Sequence, residues 1–184
     1  VQVTGQILSI PLWLALSRRV GKIRVLVISS ALMLVIAGTW FFSGPDESLF
    51  VYGLRGLAIG IGGAGTLLAT QAMLPDVMEY DYRRTGLRRE GVYAGLASFI
   101  EKISSALSGV VIGGLLSAMG FDRNLGAEGQ PESARTAIYI CIAVIPMATY
   151  ALKLVLLYFF ELDEKTLKST QSVVSPTAKE GQGQ

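Results

Sequence analysis

The sequence predicts an all-α membrane protein with about five membrane-spanning helices, and three observations support this. Apolar residues make up 51% of the 184 residues and charged residues only 16%, against about 25% charged in a typical globular protein. The charges cluster in short stretches that separate long apolar runs. Most of these runs reach the roughly 20 residues that a helix needs to cross a bilayer.

We place the five spans at residues 1–17, 25–43, 49–75, 91–119 and 134–160. The first is slightly short and the chain begins inside it, so we interpret the chain as lacking an N-terminal part. Residues 18–24 form a tight basic loop in which Gly21 can adopt a left-handed backbone. Pro146 interrupts the fifth span. The tail, 161–184, is polar, and we expect it to be disordered.

Lysine and arginine counts predict the orientation of these spans. Four lie in 18–24, four in the charged hinge (residues 76–90) and three in the tail, against none in 44–48 and two in 120–136. We therefore expect a multi-pass protein of the cell membrane, with 18–24, the charged hinge and the C-terminus in the cytoplasm.

Composition also disfavours several function classes. The chain has no histidine and a single cysteine, Cys141, which removes the usual zinc ligands, Ser-His-Asp chemistry and an intrachain disulfide. A net charge of +2 is too small to indicate a nucleic-acid surface. We expect no metal site, no cofactor and no catalytic residues.

The charged hinge carries the densest charge in the chain. Opposite charges this close can form ion pairs that break and re-form, as a cytoplasmic gate requires. A solvated loop that obeys the positive-inside rule explains the arginines equally well but not the carboxylates, and both interpretations stay open. The candidate gate residues are Asp76, Glu79, Asp81, Arg83, Arg84, Arg88, Arg89 and Glu90.

Glu101 and Lys102 are the sharpest functional signal, because they lie deep in the fourth apolar span. A charge at mid-membrane costs about 2.5–3.5 kcal/mol on insertion scales, so such groups usually face a cavity or a partner charge. Ser98 and Ser105 share the helical face of both residues. We predict that these four residues set the electrostatics of a substrate or coupling-ion site; a structural ion pair between helices is the alternative.

Three further features favour structural roles. Residues 60–65 match G-x-G-x-x-G, but they lie inside a span and lack the strand that a dinucleotide site needs. Close helix packing explains them better, as it does the pairs Gly56/Gly60, Gly91/Gly95 and Gly109/Gly113. We expect Arg55 to snorkel to the membrane surface and Lys153 to have a structural role.

The run from Met73 to Gly91 resembles the hinge signature of the glycoside–pentoside–hexuronide:cation symporters, a branch of the major facilitator superfamily. The resemblance extends through residues 98–107, through Met119-Gly-Phe, and through 11–22 and 162–165. It implies the last five of twelve helices, with the other helices in a missing N-terminal half that carries the cation-binding acids. It also implies that Lys102 lies beside the substrate and cation sites.

The sequence therefore predicts alternating-access symport of a sugar, glycoside or hexuronide with sodium or a proton. Its partners would be a small-molecule substrate, membrane lipid and the missing half, which we expect to be required for transport. The charged hinge also resembles that of lysolipid symporters, so a lysolipid substrate stays open. Two other classes remain: a structural membrane subunit, and a membrane enzyme using Glu101 and Lys102, which only nearby serines support.

Overall fold

The computed structural model describes residues 1–44, 47–126 and 129–159, and every regular element among them is helical. The predicted tail lies outside the described residues. The helices are α1 (Gln2–Val20), α2 (Lys22–Thr39), α3 (Leu49–Thr85), α4 (Glu90–Ala118), α5 (Glu132–Tyr139) and α6 (Ile145–Phe159), with a 3-10 turn at Trp40–Phe42 and a π-helical turn at Ile140–Val144.

The basic loop predicted at residues 18–24 is shorter than expected. Both flanking helices continue into it, and only Gly21 separates them. Gly21 has φ 91°, a conformation that costs a side-chain-bearing residue free energy but not glycine. A single residue therefore reverses the chain, and the basic side chains are fixed on helical turns.

Helix α3 continues beyond residue 75, where we place the end of the third span. It runs for 37 residues through Pro75 and stops at Gly86, whose φ of 70° is the left-handed conformation that ends many helices. At 1.5 Å per residue this is about 55 Å, well beyond the roughly 30 Å hydrocarbon core. The helix continues through the first charges that follow the apolar run, so most of the charged hinge is helical.

The predicted interruption near Pro146 is confirmed. The π-helical turn at Ile140–Val144 ends just before this proline and joins α5 to α6. Proline has no backbone N–H, so the regular hydrogen-bond ladder cannot continue through it. The fifth span is thus one helical segment from Glu132 to Phe159 with a π-helical turn inside it.

Glycines of α3 let other helices approach its backbone, as the sequence predicted for this segment. A Cβ on Gly60 would lie 2.1 Å from the carbonyl oxygen of Gln2, and one on Gly65 would lie 2.6 Å from the Trp13 ring. The indole of Trp13 also donates a 2.7 Å hydrogen bond to the Ile61 carbonyl oxygen. Helices α1 and α2 both pack on α3, and α6 packs on α2.

In the part of the chain that the structure describes, four helical segments are long and apolar enough to cross a membrane: Lys22–Phe42, Leu49–Thr85, Glu90–Ala118 and Glu132–Phe159. Helix α1, the predicted first span, is not among them. No residue of helix α4 is buried, and the same holds for α6. The glycine pairs predicted to pack on α4 accordingly meet no neighbour within 4 Å among the described residues.

Candidate functional site

The four predicted site residues of the fourth span lie on α4. The helix is regular through Ser98, Glu101, Lys102 and Ser105, so the predicted sharing of faces holds. All four are exposed. Within the described residues no ion pair reaches Glu101 or Lys102. Two charges on an apolar helix therefore stand uncompensated.

A second polar site lies at the basic end of the bundle, defined by residues 18–24 and 76–85. The Nζ atom of Lys22 contacts both carboxylate oxygens of Asp76, at 2.8 and 2.6 Å, and the Ala72 carbonyl oxygen at 2.9 Å. This contact joins the start of α2 to α3. It also confirms that the two basic segments, assigned to the same side by charge counting, lie at the same end of the bundle.

The other gate candidates form fewer contacts than predicted. Arg83 Nε donates a 2.6 Å hydrogen bond to Glu79 Oε1, one helical turn away. The Arg88 guanidinium lies 5.3 Å from the ring centroid of Tyr82. Asp81 has a buried carboxylate oxygen without a hydrogen-bond partner among the described residues. Glu79 and Glu90 line an open depression of about 280 Å³ together with Pro75, Met78 and Tyr82.

Arg55 corrects the prediction of a snorkelling side chain. The residue is 9% exposed. Both terminal nitrogens of its guanidinium donate hydrogen bonds to the Glu47 carboxylate, and the bond to Oε1 is 2.8 Å long. It also donates to Ser43 Oγ at 2.8 Å and to the Thr39 carbonyl oxygen at 3.0 Å. The position near a helix end suggested an escape to water, but Glu47 in the preceding loop satisfies the charge locally.

The Arg55 cluster ties the far end of α2 to α3. The guanidinium lies 5.1 Å from the Trp40 ring centroid, a cation–π distance. The hydrogen bond from Ser43 and the charge of Arg55 hold the pKa of Glu47 below its ordinary value. Glu47 is therefore charged at neutral pH and pairs with Arg55. This cluster links α2 and α3 at one end of the bundle, and Lys22 and Asp76 link them at the other.

Sequence reasoning missed two of these partners, Lys22 and Glu47. The sequence showed both residues only as charges in loops. It predicted the side of the membrane on which each lies, but not the residue that each would contact. Lys22 was assigned to the same side as Asp76, and Glu47 to the same end of the third span as Arg55. That signal gives the end of the bundle but not which charges meet there. Lys153, the other lysine in a span, is half-buried.

Long apolar helices, helix packing through glycine and charges inside a span define an all-α integral membrane protein. The chain belongs to the MFS/sugar transport protein family of the major facilitator superfamily, whose family model matches residues 1–164. The family that the charged hinge resembled is thereby confirmed.

Three relatives illustrate the match. An uncharacterized symporter of Synechocystis is 30% identical over 154 residues, covering 82% of this chain and 28% of the relative. The isoprimeverose transporter of Lactiplantibacillus pentosus is 28% identical over 150 residues, covering 80% and 30%. A glucuronide carrier protein homolog of Escherichia coli is 30% identical over 167 residues, covering 90% and 35%.

The chain thus spans about a third of the length of these relatives. No solved structure gives a significant match to it.

Proposed function

We propose that the chain is the C-terminal part of a secondary active transporter that couples uptake of a sugar, glycoside or hexuronide to sodium or protons. The observation that carries this proposal is the uncompensated pair Glu101–Lys102 on α4, in a chain of the sugar transport family. Coupling needs no enzymatic chemistry, since each ligand need only stabilise one conformation over another.

The position of Lys102 supports a functional charge. It follows the start of α4 by twelve residues, about 18 Å along the axis, which places it near the middle of a 29-residue helix. A lysine that deep in lipid is costly, so in the assembled protein its ammonium faces a water-filled cavity or a partner charge. The missing half of the transporter supplies that surrounding, and Ser98 and Ser105 add polar groups on the same helical face.

The charge of Lys102 narrows the substrate class. A hexuronide carries a carboxylate that the Lys102 ammonium attracts, and the low-dielectric protein around the cavity strengthens that attraction. One relative is named as a glucuronide carrier homolog, whereas the isoprimeverose transporter is named for a sugar. Among the three substrate classes the hexuronide therefore offers Lys102 the strongest direct contact.

The basic end would form the cytoplasmic gate. Lys22–Asp76 and Arg83–Glu79 are exposed ion pairs that can exchange partners at little cost, because exposed pairs stabilise by only about 0–1 kcal/mol. A gate of this kind opens and closes without a large barrier. This proposal places residues 18–24, the charged hinge and the C-terminus in the cytoplasm, and the transporter in the cell membrane.

Uptake by the full-length transporter in vesicles tests the proposal. A panel of glycosides, pentoses and hexuronides is offered under a sodium gradient and then a proton gradient. We expect gradient-driven uptake of at least one hexuronide or glycoside, and a loss of roughly 100-fold in Lys102→Ala at equal protein per vesicle. Lys153→Ala, which removes a lysine from another span, is the matched control and should retain uptake.

Other results would contradict specific parts of the proposal. Unchanged uptake in Lys102→Ala would remove Lys102 from the mechanism. Uptake of lysolipids but of no sugar under either gradient would replace the substrate class. Failure of the Lys102→Ala protein to assemble in the membrane, with Lys153→Ala unaffected, would favour a structural subunit.

A further inference from the structure

Four exposed arginines at the basic end, Arg18, Arg19, Arg24 and Arg84, have no ion-pair partner among the described residues, and two of them, Arg19 and Arg24, adjoin uncovered apolar faces. Arg19 at the end of α1 and Arg24 at the start of α2 are both exposed, and neither takes part in an ion pair. Lys22, which lies between them, is occupied by Asp76 and the Ala72 carbonyl oxygen. The two guanidinium groups are therefore available to an anion from outside this part of the chain.

Each arginine stands at the end of an apolar stripe on its own helix. Residues four, seven and eleven positions apart share one face of a helix. The residues at these spacings from Arg19 on α1 and from Arg24 on α2 are all apolar. They are exposed, except for Ala31, which is half-buried. The stripe on α1 consists of Leu8, Leu12 and Ala15, and the stripe on α2 consists of Ile28, Ala31 and Val35.

The two stripes start from the same place. Helices α1 and α2 are in contact and are joined through Gly21 alone, so Arg19 and Arg24 flank one tight turn. From there each stripe runs along its own helix for eleven residues, about 16 Å. That length matches one leaflet of a hydrocarbon core about 30 Å thick.

The chemistry of the stripes points to lipid rather than protein as their occupant. Helix α4 is also uncovered, but it presents Glu101, Lys102 and several serines, which need a polar or protein surrounding. The α1 and α2 stripes present only apolar side chains, which acyl chains satisfy without any specific partner. At their common end two cations complement a phosphate, and arginine binds phosphate with two parallel donors.

We infer that Arg19 and Arg24 bind the headgroup of an anionic phospholipid, with its acyl chains along the stripes of α1 and α2. Basic groups between helices at the membrane surface are suited to such headgroups. The inference goes beyond the proposed transport and does not depend on which substrate or ion is carried. It adds a lipid-binding surface on the opposite end of α1 and α2 from the Arg55 cluster.

The test uses the full-length transporter in nanodiscs of phosphatidylcholine and phosphatidylglycerol at equal amounts. The lipids that stay bound on transfer to mild detergent are counted by native mass spectrometry. We expect wild type to retain phosphatidylglycerol preferentially. Each of Arg19→Gln and Arg24→Gln should reduce retention roughly fivefold, the effect expected for removing one basic side chain near an anionic headgroup. The double variant should lose the preference for phosphatidylglycerol.

Controls separate this site from net charge and from misfolding. Arg123→Gln removes one exposed arginine from the other end of the protein and should change nothing, while Arg19→Lys and Arg24→Lys keep the charge and should retain most of the preference. Added glycerol 3-phosphate should not displace the lipid, because it lacks the acyl chains.

Four outcomes overturn the inference. They are no preference in wild type, retention in the double Gln variant equal to wild type, an equal loss in Arg123→Gln, and displacement by glycerol 3-phosphate. Should the double variant not fold, the salt dependence of wild type decides: retention must fall as salt screens the exposed charges, and salt-independent retention contradicts the site.

Discussion

At the scale of single residues, the charged side chains of this protein divide by whether the chain itself neutralises them. Arg55 is held by Glu47, Ser43 and the Thr39 carbonyl oxygen, and Lys22 is held by Asp76. Lys102 and Glu101 have no such neighbour among the described residues. In the first group, the Arg55 contacts join α3 to the end of α2 and the exposed Lys22–Asp76 pair belongs to the proposed gate. The second group belongs to the proposed substrate or ion site.

Replacing Arg55 by leucine should destabilise the protein, because it leaves the Glu47 carboxylate, only 15% exposed, without its cation. We expect the thermal unfolding midpoint of the full-length protein in detergent to fall by about 5 °C. Arg55→Lys should restore part of the loss, since lysine keeps the charge but not the two-pronged geometry. An unchanged midpoint in Arg55→Leu would show that the cluster is not stabilising.

The same cluster predicts a pH dependence. The folded pKa of Glu47 is lowered from 4.5, so its contribution to stability is present above about pH 4.5 and is lost as the pH falls through the lower folded value. The difference in unfolding midpoint between wild type and Arg55→Leu should therefore shrink below about pH 4. A difference that stays constant down to pH 3 would contradict the assignment to Glu47.

At the scale of elements, the sequence located the apolar runs but not every helix boundary. Helix α3 crosses the predicted limit at residue 75 because Glu79 and Arg83, four residues apart, favour helix outside the membrane as well as inside it. Helices α1 and α2 meet at Gly21 without the expected loop, because one glycine with positive φ suffices to reverse the chain. Hydropathy indicates which residues can lie in the bilayer, but it does not predict a helix that continues beyond the bilayer or a turn made by a single glycine.

Two neighbouring glycines of α3 offer a matched test of its packing. A Cβ at Gly60 meets the α1 backbone, whereas a Cβ at Gly63 has no neighbour within 4 Å among residues 1–44, 47–126 and 129–159. Gly60→Ala should push α1 and α3 apart and destabilise the protein by about 1–3 kcal/mol. Gly63→Ala should be neutral or slightly stabilising, since alanine favours helix. Equal thermal unfolding midpoints for the two variants would refute close packing at Gly60.

At the scale of the whole molecule, polar contacts between α2 and α3 exist at both ends, and they differ in burial. The Arg55–Glu47 pair is largely shielded, with side chains 10% and 15% exposed, while Lys22 and Asp76 are 38% and 49% exposed. A shielded, multiply bonded pair is costly to break, whereas an exposed pair is not. This asymmetry suits a bundle that stays joined at one end and opens at the other.

A charge swap tests the exposed contact. Lys22→Asp and Asp76→Lys each place like charges together and should lower uptake by the full-length transporter roughly tenfold. The double variant restores the opposite charges and should recover most of the uptake. Membrane abundance of each variant, measured by immunoblot, is the control. Single variants with normal uptake would exclude this pair from the gate, and a double variant no better than either single would exclude a direct contact.

The sequence by itself determined the class of fold, the apolar runs, the grouping of the basic segments at one end, and the family. All of these follow from composition and short-range pattern, because a bilayer requires long apolar helices and sorts charge by side. The intramembrane charges Glu101 and Lys102 were visible for the same reason.

Only the tertiary structure decided which charges meet. Arg55 with Glu47, and Lys22 with Asp76, are separated by 8 and 54 residues. Such pairings depend on the relative position of helices, which in turn depends on the close contacts of Gly60 and Gly65 with α1. No local pattern records that geometry, because the packing of small residues fixes helix positions only once the whole bundle has assembled.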